Sequence, residues 1–301
     1  MIAFGLAAIT AALLTSPSTG TAEAADRISV VVSIPPHAYF AERLGGEAVE
    51  VAVLLQPGQS PHTFDPSARQ IATLSEADLF FTVGLTFEQA LVRKIANESE
   101  GPRIVDTRKG VPLMASAGHS HDAGSGTQSD HAAGTPDPHS WLDPALVKIQ
   151  VENIAAGLAA FAPDRSVEFE QNRDRLCRQL DSLDRSIGEL LKPYRGRKIY
   201  VFHAAFGYFA TRYGLEQVAV EVEGKEPSAR LLTALIEQMR RDSVTTLFVQ
   251  PQFSRKTAVA LAEAAGCRIV ELDPLAADYP ANLLDIAVKI KDSFSFVPQE
   301  P

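Results

Sequence analysis

Three histidines, His62, His139 and His203, stand at the boundaries of predicted elements, where a side chain is free to do chemistry. His62 closes the run Gln56-Pro57-Gly58-Gln59-Ser60-Pro61, His139 sits between Asp137-Pro138 and Ser140-Trp141, and His203 ends the apolar run KIYVF. Neutral imidazole is the commonest protein ligand for zinc. A single histidine is more often a hydrogen-bonded polar group than a ligand, but three at element ends, beside a segment carrying His119, His121 and His131, favour a metal site. A fourth ligand is expected to be a carboxylate. Asp273, after Glu271-Leu272, ends the last predicted strand and ranks first, with water completing the shell if that carboxylate stays back. Asp65 is the rival, assigned instead to capping a helix that starts at Pro66. Glu221 and Glu223 fall near the same edge, and His37, at a helix start, is expected to have a structural or rim role.

Short β-branched runs alternate with helical patterns on both sides of the chain's middle. Residues 28–34, 49–55, 79–83 and 103–106 read as strands, with helices at 36–44, 66–76 and 87–97 between them. The second half repeats this with strands at 198–202, 217–222, 246–250 and 268–272 and helices at 205–213, 227–241, 254–265 and 278–292. Parallel strands need such crossovers, so the fold class is α/β with two parallel-sheet lobes. In a parallel sheet the ligand crevice lies at the carboxyl ends of the strands. His62 and His203 both fall there but in different halves, which puts a shared site in the cleft between lobes. Between the halves, residues 144–161 form one helical pattern and 163–193 another. The second spans roughly 28 residues, about 42 Å at 1.5 Å per residue. Its apolar Phe169, Leu176, Leu180, Leu183, Ile187 and Leu190 keep to one stripe. A rigid strut along both lobes is expected, giving an N-terminal lobe at 25–163, a backbone helix at 164–193 and a C-terminal lobe at 194–301. Residues 116–138, rich in Gly, Ser, Asp and His, lack apolar periodicity and are expected to form a mobile loop.

The 301 residues suffice for two domains, and 46% apolar with 22% charged residues is the balance of a water-soluble globular chain. A formal net charge of −9 argues against a nucleic-acid partner, which would call for a basic surface. Residues 2–15 are apolar and uncharged, and Thr21-Ala22-Glu23-Ala24-Ala25 offers a small-residue cleavage pattern, so 1–24 reads as a signal peptide, although no Lys or Arg precedes the run. No second run of about 18 apolar residues follows, and no Cys lies near the leader to carry a lipid. The expectation is a monomer free in a periplasm. Cys177 and Cys267 permit one disulfide, lack metal-ligand spacing, and are expected to be buried and structural.

The segments SIPPHAYFAERLGG, LLQPGQSPHTFDPSARQ, DPHSWLDP, VFHAAFGYFATRYGL, EVEGKEPSAR, FVQPQFSRK and ELDPLAADY, in this order, resemble the zinc/manganese (cluster A-I) family of metal-binding proteins of ABC importers. The resemblance covers essentially the whole chain after residue 24. It implies two α/β lobes joined by a backbone helix, with His62, His139 and His203 as ligands and Asp273 as the C-terminal carboxylate ligand. The implied cargo is Zn²⁺, and the implied partners are a membrane permease and, through it, its ATPase. The His-containing segment resembles the charged loop of zinc-specific members and offers a second, weaker site at His119, His121 and His131. Two departures are Ala204, where Asp or Pro is frequent, and His37, where Gln is frequent; neither is a ligand position.

Three imidazoles plus one oxygen give a tetrahedral shell that suits zinc, whereas carboxylate and water suit manganese. Manganese members resemble one another in placing a carboxylate at the third histidine position, so His203 favours zinc. The alternatives are a manganese-binding member, a zinc metalloenzyme with an open fourth position, and a metal-binding adhesin. Against an enzyme, the chain has no HExxH, nucleophile elbow or phosphate loop.

Overall fold

A computed structural model describes residues 27–95, 101–115, 136–221 and 229–296. The expected signal peptide, residues 1–24, and His119, His121, His131 and Glu223 lie outside the described residues. The first sheet is built from β1 (Ile28–Val32), β2 (Val49–Val53), β3 (Leu79–Thr82) and β4 (Arg103–Asp106), ordered β2-β1-β3-β4 and parallel throughout. Helices α1 (Pro35–Gly45), α2 (Ala68–Ser75) and α3 (Thr86–Ile95) make the crossovers. After α4 (Pro144–Phe161) and α5 (Ser166–Leu191) comes the second sheet, β5 (Lys198–His203), β6 (Glu216–Glu221), β7 (Thr246–Val249) and β8 (Arg268–Glu271). Its order, β6-β5-β7-β8, repeats that of the first and is again parallel. Its helices are α6 (Gly207–Tyr213), α7 (Ala229–Arg241), α8 (Arg255–Ala265) and α9 (Tyr279–Ser295). Among the described residues no helix is long and apolar enough to cross a membrane.

Helix starts follow local chemistry, with one correction. α2 begins two residues later than Asp65-Pro66 suggested. Ser67 accepts from the Gln70 N–H while the Gln70 side chain accepts from the Ser67 N–H. That reciprocal box satisfies two orphaned donors at once, which a lone Asp cannot. α4 keeps the simpler device, Asp143 capping Ala145 with Pro144 at the first helical position.

Alternation along the strands decides what the lobes share. Val30, Val32 and Phe81 face one core with Val201 and Phe248, while Val31, Phe80, Tyr200 and Leu247 face outward into separate cores. The shared core is continued by Val151 and Leu158 of α4, Phe169, Leu180 and Leu191 of α5, and Leu283 and Ile290 of α9. α5 has 26 residues, about 39 Å. Its buried Phe169, Leu176, Leu180, Ile187 and Leu191 form the expected stripe, and the helix packs on α1, α4 and α9. The strut expectation holds: the two sheets are fastened to one apolar spine.

The cysteines are both free and half-buried. Cys177 packs on the shared core and Cys267 on the outer core of the second sheet, so the disulfide that sequence left open is not formed. Burial pushes the Cys267 thiol up to about 11.

His37 is fully buried, not at a rim. Its Nε2 meets Gln150 Oε1 at 2.9 Å, and Gln150 Nε2 donates to Ser140 Oγ at 2.9 Å. Burial lowers its pKa from 6.5 to about 4, against the hydrogen bond that the ring donates to Gln150 Oε1. In the unfolded chain the ring takes up a proton near 6.5, in the folded one only near 4. Between these values the unfolded state holds more protons, so stability that is complete above 6.5 is lost as pH falls toward 4. The loss from this residue is roughly 3 kcal/mol at 1.36 kcal/mol per unit. His37→Gln is expected to flatten the acid limb of the unfolding free energy by that amount, read from urea titrations at pH 7 and pH 4. Equal slopes in the two proteins would remove His37 as the cause.

Candidate metal centre

His203 is the last residue of β5, and the sheet register pairs it with Glu221, the last residue of β6. The register therefore delivers a carboxylate to the imidazole: His203 Nδ1 lies 2.7 Å from Glu221 Oε2, both side chains buried. The backbone is pinned as well. His203 N–H donates to Gln250 Oε1 and Gln250 Nε2 donates to His203 O, each at 3.0 Å. With Nδ1–H given to a carboxylate, Nε2 is left carrying the lone pair.

His139 reaches the same state by a shorter route. It precedes a 3-10 turn at Ser140–Leu142, and Asp137, two residues back, accepts both the His139 N–H at 2.9 Å and its Nδ1 at 2.7 Å. One local carboxylate fixes backbone and ring together. His62 comes from the loop after β2 and keeps part of its ring in solvent. Its Nε2 lies 3.0 Å from His203 Nε2. Ring centroids are 4.6 Å apart for His62 and His203, 5.3 Å for His139 and His203, and 6.3 Å for His62 and His139.

One ligand atom from each of the three histidines lies within 4.8 Å of the others. Zn–N bonds of about 2.0–2.1 Å set tetrahedral N···N edges of about 3.3 Å. The 3.0 Å pair is near that value already, and the wider spacing, within 4.8 Å, closes as the side chains draw in around an ion. The space they enclose, about 10 Å³, is on the order of one ion or water. Pro61, Trp141, Phe253, Pro274 and Leu275 wall it, and the Phe253 ring stacks on His203 with centroids 4.7 Å apart. Burial, reinforced by His203 and His139, lowers the His62 pKa to about 4. Burial also lowers that of His203, with Glu221 opposing. Burial thus favours the neutral, metal-binding form of His62 and His203 below the ordinary histidine range of about 6.5.

The carboxylates named from sequence sort differently. Asp273 is beside the trio and outside the close group: its Oδ1 accepts from Gln252 Nε2 at 2.7 Å and from Leu275 N–H at 2.9 Å. Asp65 is exposed and also outside the group. Glu221 orients His203. Sequence reasoning missed the parts of Asp137, Gln250 and Gln252. Asp137 carried a usable signal, an acidic residue two before a histidine between prolines. Gln250 and Gln252 carried none, since their contacts depend on how strands and loops meet.

A family model described as zinc-uptake complex component A, periplasmic (ZnuA), matches residues 30–292. The zinc-binding lipoprotein AdcA of Streptococcus pneumoniae is 29% identical over 265 residues, 84% of this chain and 51% of its own. This chain therefore spans about half the length of the streptococcal relatives it matches. A putative metal-binding protein of Chlamydia muridarum is 28% identical over 264 residues, 87% of this chain and 90% of its own. A zinc-bound crystal structure of a ZnuA deletion mutant superposes with a TM-score of 0.81 at 37% identity, over 91% of this chain and 100% of that one. Two parallel sheets on one spine, three histidines at a common point and a match running nearly end to end agree: the chain belongs to the ZnuA family of zinc-uptake components.

Proposed function

We propose that the protein is the solute-binding component of an ABC importer, capturing Zn²⁺ in a periplasm through His62, His139 and His203 and delivering it to a membrane permease. The observation that carries this reading is the pair of carboxylates, Asp137 and Glu221, each on the Nδ1 of a histidine whose Nε2 faces the common point. Such partners fix the tautomer and raise ligand basicity, which is what metal capture asks of imidazole. Zinc is favoured over manganese because three nitrogens dominate the donor set. Among the described residues, Glu221, the base that an enzymatic reading would name, is committed to His203. In this reading residues 25–163 and 194–301 act as lobes on either side of the 164–193 strut. Their shared core resists a wide hinge, so release proceeds by a small parting of the lobes or movement of the His62 loop.

The test is metal analysis of the protein from residue 25 onward, offered Zn²⁺ and Mn²⁺ together, with growth of a deletion strain under zinc limitation. One tightly held zinc per chain and zinc-rescued growth are expected. Preferential loading with Mn²⁺ would overturn the zinc assignment. Isothermal titration of a version lacking residues 116–137 reads the contribution of His119, His121 and His131 as added weak stoichiometry; an unchanged isotherm would remove that role.

A further inference from the structure

The fourth position of the shell depends on one side chain. Beyond the three histidines, the residues around the small enclosed space include only two with polar side-chain atoms, Trp141 and Gln252. Trp141 Nε1 is committed to Pro274 O at 2.8 Å. Gln252 is divided: its Nε2 donates to Asp273 Oδ1 at 2.7 Å, while its Oε1 is buried with no partner. Gln252 also borders a neighbouring cavity of about 170 Å³, lined with Asp273, Gln56, Pro57 and Gly58. It is therefore a partition, with three imidazoles on one side and the Asp273 carboxylate on the other. Asp273 is held there by more than Gln252. Leu275 N–H donates to the same Oδ1, and Asn282 Nδ2 donates to Asp273 O at 2.7 Å.

We infer that Gln252 decides the fourth ligand: it keeps Asp273 out of the shell and leaves that position to a water that donates to the Gln252 carbonyl. This rests on the three-histidine reading above. The chemistry is a balance between two oxygen donors. A carboxylate that crosses the partition to reach the metal draws its Oδ1 away from Gln252 Nε2, and that would leave both ends of the amide unpaired. A bound water does the opposite, since its proton satisfies the orphaned Oε1 while the Gln252–Asp273 bond stays intact. Gln252 is a positioning residue in this scheme; it touches the water, not the ion. A water is also easier to displace than an anchored carboxylate, which suits a site whose cargo must leave.

A double-mutant cycle tests this, with zinc affinity by chelator competition and the d–d absorption of Co²⁺ as a readout of the donor set. Asp273→Asn keeps an oxygen for Gln252 and Leu275 but removes the carboxylate. Alone it is expected to leave the Co²⁺ spectrum unchanged and zinc affinity within about twofold, the range over which uncoupled sites add. Gln252→Leu fills the wall without the amide, frees Asp273 to bind, and is expected to shift the Co²⁺ bands. In that background Asp273→Asn is expected to restore the original bands and to lower zinc affinity by about tenfold or more. Gln252→Ala serves the same purpose if the leucine variant does not fold. A changed spectrum in Asp273→Asn alone would show that the carboxylate already ligates, and strictly additive effects would show that Gln252 does not restrain it; either overturns the inference alone. Absence of His203-dependent Co²⁺ absorption in the unmodified protein would overturn the three-histidine reading and this inference with it.

Discussion

His203→Ala is expected to lower zinc affinity by roughly 100-fold or more, the largest single-residue effect on binding. Apparent binding free energies of four-ligand zinc sites are about 10–16 kcal/mol, so one ligand in four accounts for roughly 3 kcal/mol, and each 1.4 kcal/mol is tenfold. His203 is the ligand for which that share is least replaceable. It ends a central strand, its backbone is held twice by Gln250, and its Nδ1 is fixed by Glu221. Removing the imidazole also leaves Glu221, 2% exposed, without the partner of its Oε2, while Oε1 has none already. A loss of folding stability should therefore accompany the loss of zinc. Glu221→Ala keeps the ligand but frees the ring, and a smaller loss of about 10–100-fold is expected. Competition against a chromophoric chelator at pH 7 measures both. A loss under tenfold in His203→Ala would mean that His62 and His139 hold the ion without it.

Trp141→Ala is expected to cost about 3–5 kcal/mol of folding stability, the range for a fully buried large aromatic. Trp141 is 0% exposed in the turn before α4. Its indole N–H donates across the cleft to Pro274 O at 2.8 Å, and Tyr279 of α9 returns a hydrogen bond from its hydroxyl to Trp141 O at 2.9 Å. These two bonds run in opposite directions between the same pair of segments, and Phe40 of α1 seals them with its ring 4.8 Å from that of Tyr279. The loss should appear as a fall of about 10 °C in the melting midpoint, at about 2–4 °C per kcal/mol for a chain of this size. Trp141→Phe keeps most of the volume and deletes the N–H, so only about 1 kcal/mol should go, plus the cost of orphaning Pro274 O. If Trp141→Ala melts within a degree or two of the unmodified protein, the apolar spine holds the lobes together and the clamp does not. Trp141 also lines the metal space and is the sole tryptophan of the chain. Its fluorescence is therefore expected to change when zinc binds.

Much of this arrangement is set by local chemistry that the chain writes out in order. Alternating β-branched runs and amphipathic stretches specify eight strands, their crossovers and a spine helix, because side-chain periodicity and the need for a crossover are local properties. His62, His139 and His203 were legible for a related reason: each follows a strand or a proline-bounded turn, and strand ends in parallel sheets face the ligand crevice. Partners separated by many residues were not. Glu221 serves His203 because β5 and β6 pair in a register that aligns their last residues, and a shift of one residue would have turned the carboxylate to the other face. Asp273 ends its strand as expected, yet Gln252 and Leu275 claim its oxygen first. His37, for which the sequence left a structural or a rim role open, is structural: it is buried against Gln150 because α4 packs over α1. The sequence by itself determined the elements, the three imidazoles and the preference for a nitrogen-rich metal shell. Tertiary structure alone decided which carboxylate orients, which one is held back, and that the two sheets share one core, because those outcomes depend on register and packing between segments far apart in the chain.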